Sequence, residues 1–289
     1  MASEFTKLID DLGYAKTFYP TSHVTQYINS LASRIYLNIY KNRKEESNRL
    51  VNFWKHSVPL AVRKHHSMLL FAFVVFTLFF CVGFFSGKND ESFVREVLGD
   101  SYVNMTERFI EEGNPFGVYR SGNPVLMWLG LMINNIVVSF MYFAKGIFFG
   151  VLSIYSLVRE AIRLGAFEYM FFSKGLGAKA ALTVLLHGTL EVSAIIIASA
   201  AGVVLGKSIL FPGTVNRWKS LQVGLKDGLK IVIGLVPVFI TAAFIEGFVT
   251  RYYDMPVVFS SAILSASAAF IIWYFIFYPV QVSNKQSKS

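Results

Sequence analysis

His187 and Glu191 stand four residues apart, so they lie on one face of any helix that contains them. They belong to the stretch Leu185-Leu186-His187-Gly188-Thr189-Leu190-Glu191, inside an apolar run from about 178 to 206 that is long enough to cross a bilayer. A carboxylate at mid-bilayer costs ~3 kcal/mol or more, so it marks a substrate or ion pathway or a satisfied polar network. A second carboxylate, Glu246, is embedded in Ala242-Ala243-Phe244-Ile245-Glu246-Gly247. Asn134 and Asn135 fall in the middle of another apolar run, and Arg159, Glu160 and Arg163 fall in the last turns of a further one. Four chemistries are open to this set. His187 with Glu191 and Glu246 could ligate a divalent metal and support hydrolysis inside the membrane, although the HExxH motif of metalloproteases is missing. The groups could relay protons or ions in a transporter. They could hold a lipid head group or a partner helix. They could also form a closed network that fixes helix register. On sequence grounds no residue is assigned a catalytic role, no metal is assigned and no cofactor is expected.

These residues need a membrane bundle to position them. Of 289 residues 54% are hydrophobic and only 16% charged, against about 25% charged in soluble domains. The net charge of +9 is spread along the flanks of apolar runs, which is the signature of membrane topology and argues against a nucleic-acid partner. The one cysteine, Cys81, excludes an intrachain disulfide and a cysteine-built zinc site. The expected fold is all-α: a polytopic helix bundle with six transmembrane helices and a cytoplasmic N-terminal helical region at 1–66. The spans are expected at about 67–85, 124–143, 146–166, 178–206, 229–249 and 257–277.

Residues 1–66 are polar and mixed, and no signal peptide is expected. Val24, Ile28, Leu31, Ile35 and Ile39 mark an amphipathic helix with Thr21 or Ser22 as its cap, before a charged break from Lys41 to Glu46. A second helix carries Leu50, Phe53, Trp54 and Val58. It reads either as a surface helix on the membrane or as half of a self-packed hairpin. Between the first two spans, 88–123 is acidic and forms an extracytoplasmic loop. Its 91–112 stretch is expected to be helical, serving as a cap on the bundle or as a docking place for an outside partner. A basic amphipathic helix is expected at 214–230, with Val215, Trp218, Leu221, Leu225 and Leu229 on its apolar face. Pro237 is expected to kink the fifth span, and 283–289 is a short polar cytoplasmic tail.

With the N-terminus inside, 18 of the 27 Lys and Arg residues fall in inner segments, which predicts both termini in the cytoplasm and a home in the cytoplasmic membrane. That topology puts His187, Glu191 and Glu246 in the outer half of the membrane, with Asn134 and Asn135 near its middle and Arg159, Glu160 and Arg163 at similar or shallower depth. Lipid offers such groups no hydrogen bonds, so they are expected to face one another inside the bundle. Ala194, Ala198 and Gly202 share the stripe of His187 and Glu191, which turns that face toward neighbouring helices.

From Pro124 onward the order of features resembles the stage II sporulation protein M family. The residues that carry the resemblance are Asn134-Asn135, Gly146 to Gly150, His187-Gly188-Thr189-Leu190-Glu191 with Ala194 and Ala198, then Gly202, Phe211-Pro212-Gly213, Arg217, Ala242-Ala243 and Ile245-Glu246-Gly247. The third span departs from the family pattern, with Glu160-Ala161 in place of Asn-Gly. The resemblance implies a scaffold that works in a membrane complex with cell-wall hydrolysing partners on the outer side, without being the hydrolase. The partners then expected are the lipid bilayer, membrane-complex proteins or cell-wall enzymes, and a second copy of the chain. A transporter or channel-like protein and an intramembrane metal-dependent hydrolase are the alternatives.

Overall fold

The computed structural model describes residues 2–41, 48–120 and 122–287, and among these every regular element is helical. The expected charged break lies, from residue 42 on, outside the described residues. The chain divides into two compact units, Met1–Asn52 and Phe53–Ser289.

In the first unit, α1 (Ala2–Phe18) and α2 (His23–Lys41) form a helical hairpin around Leu12, Ala15 and Ala32, and α3 (Arg49–Asn52) follows. The turn is fastened by Thr25, whose Oγ1 donates to the Tyr19 carbonyl at 2.6 Å. Of the two expected caps Ser22 serves, its Oγ accepting from the Val24 amide at 3.2 Å.

The second unit opens with a π turn (Phe53–Ser57) and α4 (Val58–Lys64). The bundle takes several of this segment's apolar and polar groups, while Lys55, His56 and Arg63 stay exposed. Val58 and Val62 are fully buried, and Trp54 Nε1 donates to the Gly234 carbonyl at 3.3 Å. Lys64 and His65 both bond Asp227 Oδ2, at 2.7 and 3.1 Å.

Eight helices then carry the bundle to α12: α5 (His66–Asn89), α6 (Glu91–Leu98), α7 (Asp100–Glu111), α8 (Pro124–Ala144), α9 (Val151–Ser173), α10 (Gly177–Leu210), α11 (Arg217–Gly234) and α12 (Val236–Phe244). α13 (Val257–Ile272) and α14 (Tyr278–Gln286) close it. The axis is α10, which packs against α5, α8, α9, α11, α12 and α13. Apolar side chains gain nothing by leaving lipid for other apolar side chains, so close approach of backbones must supply the attraction. α10 is built for that: Ala194, Ala198, Ala200 and Ala201 are fully buried. A Cβ at Gly146 would land on the Gly202 carbonyl, and one at Gly206 on the backbone of Gly150. α5 and α9 run parallel, with Gly83 against Ile162 and Gly87 against Tyr169. α11 also turns a small-residue face inward, with Ser220, Gly224 and Gly228 buried and Trp218 and Leu225 exposed. The apolar stripe read from the sequence is thus split: Val215, Trp218 and Leu225 face outward, Leu221 and Leu229 pack on the core, and the glycines make the closest approach.

The acidic loop is a cap. Gly99, at φ 87°, divides its expected helix into α6 and α7. Val94, Val103 and Phe116 then pack on Met170, Phe171 and Tyr253.

Among the described residues, five helical stretches are long and apolar enough to cross a membrane: His66–Asn89, Pro124–Ile147, Gly177–Leu210, Arg217–Tyr252 and Val257–Gln286. The fourth combines α11, α12 and the turns after it, with the helix broken at Leu235, two residues before Pro237. α9 is not among the five; it carries Arg159, Glu160, Arg163 and Glu168. It starts later than the sequence suggests because Phe149 and Gly150, at φ 57° and 80°, turn the chain after a 3-10 turn at Lys145–Ile147.

The glycine seam makes a direct prediction. Gly202→Ala should lower the unfolding midpoint of the detergent-purified chain, by the ~1–3 kcal/mol that overpacking costs. Gly130→Ala, where a Cβ meets nothing within 4 Å, should leave the midpoint in place.

Candidate functional site

Three elements meet where α10 passes the end of α12. α10 presents His187, which is buried, and Glu191 one turn later. Glu246 comes from a π turn, Ile245–Val249, that continues α12. The wide i→i+5 turn is a rare local geometry that concentrates at functional sites. It gives the Ile245 carbonyl to Thr250, which donates to it both through its backbone N–H and through Oγ1, the latter at 3.2 Å. Thr250 is itself fully buried, and its Oγ1 lies 3.2 Å from His187 Nδ1.

These two contacts fix the histidine. A hydroxyl has one hydrogen, and a carbonyl can only accept. With the Thr250 hydrogen on the Ile245 carbonyl, His187 Nδ1 is the donor to Thr250; were that hydrogen turned to His187, Nδ1 would accept it. In either tautomer Nε2 is the nitrogen that faces Glu246, with Oε1 3.8 Å away. Ligand atoms of His187, Glu191 and Glu246 all lie within 4.8 Å of one another. From α8, Asn135 reaches toward Glu191, while its buried Nδ2 makes no hydrogen bond of good geometry.

The sequence-predicted set divides here. His187, Glu191, Glu246 and Asn135 come together. Asn134 lies on the exposed side of α8 and only leans on Asn135, with Nδ2 3.4 Å from Oδ1. Glu160 stands between two groups, acting electrostatically on Glu191 and lining one cavity with Tyr142. Arg159 and Arg163 turn away into a separate cavity of about 280 Å³, shared with Tyr142, Lys145 and Ser156. There Lys145 Nζ donates to Ser156 Oγ at 2.8 Å. Thr250 is the member that sequence reading missed. Its signal was present, since Thr250 follows Glu246 by four residues in one helical segment.

A family model described as stage II sporulation protein M matches residues 72–251, more than half of the chain. The chain belongs to that family. The matched region contains the whole His187, Glu191, Glu246 and Thr250 group together with α8 and α9, and it stops before α13. With its apolar helices, membership makes the chain a multi-pass membrane protein. A second model, described as a domain of unknown function, covers residues 1–41, which are α1 and α2. No curated protein and no solved structure matches the chain.

Thr250→Val keeps the shape of the side chain but leaves His187 Nδ1 and part of the Ile245 carbonyl unpaired. It should cost about 1–3 kcal/mol, the penalty for an unsatisfied buried group, read as a lower unfolding midpoint. Thr241→Val, at an exposed hydroxyl that bonds only its own helix at Pro237, should cost distinctly less in the same assay.

Proposed function

We propose that the chain is a six-span scaffold of the cytoplasmic membrane, of the stage II sporulation protein M type, with both termini cytoplasmic. In this reading His187, Glu191 and Glu246 form the polar lock that sets the bundle's register. α9 supplies the sixth span. Its 23 residues extend about 34 Å, enough for a hydrocarbon core of about 30 Å. It also lies parallel to the apolar α5, so a membrane crossed by one is crossed by the other in the same direction. The Lys and Arg bias toward inner segments supports the orientation.

The observation that carries the scaffold reading is the packing of α10. Six helices close around it, and two of its glycines sit backbone to backbone on the turn between α8 and α9. Such a core holds one shape. On the outer side, Glu96, Asp100, Glu111 and Glu112 stand exposed on the cap, an acidic surface for membrane-complex proteins or cell-wall enzymes. A second copy of the chain is a further candidate partner.

One observation favours a transport reading. Glu160 links the buried triad electrostatically to the neighbourhood of Lys145, Arg159 and Arg163, extending a polar layer through the bundle. Proteoliposomes loaded with a pH-sensitive dye separate the two. The scaffold reading expects proton and cation flux equal to that of empty vesicles, and flux that Glu246→Gln abolishes would sink it.

Topology is tested with single cysteines in a Cys81→Ser background. Phe148→Cys should react with a membrane-impermeant thiol reagent only from the cytoplasmic side, and Lys174→Cys only from the outside. Labelling of both from one side would mean that α9 does not cross.

A further inference from the structure

We infer that His187, Glu191 and Glu246 hold one divalent first-row metal ion inside the bundle. The inference deepens the lock described above by naming what it closes on, and it rests on that reading's placement of the triad within the membrane.

Thr250 Oγ1 stands 3.2 Å from His187 Nδ1 while Nε2 faces Glu246, so the hydroxyl occupies the place of a second-shell partner to a metal-bound histidine. The gap from Nε2 to Glu246 Oε1 is 3.8 Å, too long for an N–H···O hydrogen bond. It suits two ligands of one ion, each about 2.0–2.2 Å from the metal. Glu191 stands third, with the ligand atoms of the three residues within 4.8 Å of one another, so the side chains close in by about 0.4 Å to share an ion about 2.2 Å from each. Two ionised carboxylates this close, in a medium of low dielectric, repel strongly, and a cation between them removes the repulsion, as a proton on one of them would. A doubly charged ion cancels both exactly once, and a neutral imidazole adds a ligand without adding charge. Asn135 supplies the independent sign that something is held here. It is buried, its Nδ2 lacks a well-formed hydrogen bond, and it points toward Glu191, where it can brace a carboxylate oxygen not bound to the ion. One nitrogen and two carboxylate oxygens select ions such as zinc or manganese(II) over soft copper(I).

The experiment uses the full chain, purified in detergent, stripped with EDTA and dialysed against zinc or manganese(II) before elemental analysis. One ion per chain is expected, with occupancy falling at least tenfold in Glu246→Gln and His187→Gln while helix content by circular dichroism is unchanged. Loading cobalt(II) into the wild-type chain gives a second readout that does not depend on the variants folding. Visible d–d bands of a low-symmetry nitrogen and oxygen site should appear and vanish on adding zinc. A folded wild-type chain that retains no ion and shows no such bands overturns the proposal, and so does binding that both substitutions leave intact. A shared proton or a bridging water would give that negative result. Because thiol labelling reports topology independently, a six-span chain without metal would remove this inference and leave the scaffold reading standing.

Discussion

A buried imidazole flanked by Thr250 on one side and Glu246 on the other has little choice of orientation. With the Thr250 hydrogen on the Ile245 carbonyl, the imidazole gives its own Nδ1 hydrogen to Thr250, and its Nε2 faces the carboxylates. Much of the surrounding structure follows from meeting that condition. The π turn at Ile245–Val249 brings Glu246 and Thr250 to His187 together, and a regular α-turn would leave the Ile245 carbonyl to a different amide. Asn135 comes in from α8 beside Glu191, its buried Nδ2 without a well-formed hydrogen bond.

Such a site tolerates no drift in helix register, and the bundle's seams are of the kind that prevent it. A helix pair held by large apolar side chains can slide in lipid at modest cost, because lipid tails replace the lost contacts. A pair held by glycine backbones cannot, since only one register brings the small residues opposite one another. Gly146 and Gly150 against Gly202 and Gly206, and Gly83 and Gly165 between α5 and α9, are contacts of this kind. The two halves of α10 thus divide the labour: one end locks by shape and the other by polar chemistry.

The sequence showed some of this and concealed the rest for physical reasons. His187 and Glu191 were legible as a pair because helical periodicity puts them on one face, and Glu246 because a carboxylate in an apolar run is costly. Their meeting across two helices was inferred from lipid's inability to satisfy them. Thr250 was not singled out, because a threonine near a span end is unremarkable until a π turn aims it. Asn134 and Asn135 could not be told apart from spacing, since neighbours on a helix differ by about 100° of rotation and only packing decides which one turns inward. Arg159 and Arg163 were grouped with the triad by depth alone, and depth says nothing of facing. The inward face of α11 was missed because glycines leave no mark in a hydrophobic pattern. The fate of Trp54 was missed because a tryptophan beside lysines reads equally as a surface anchor and as a hydrogen-bond donor to a neighbouring helix.

The claim on which the account turns is the direction in which His187 carries its proton, and nitrogen NMR of the histidine-labelled chain in lipid measures it. The chain has five histidines, and comparison with His187→Gln assigns the relevant signals. The account predicts that the Nδ1 of His187 is protonated and its Nε2 is not. A proton on Nε2 with a bare Nδ1 would contradict it.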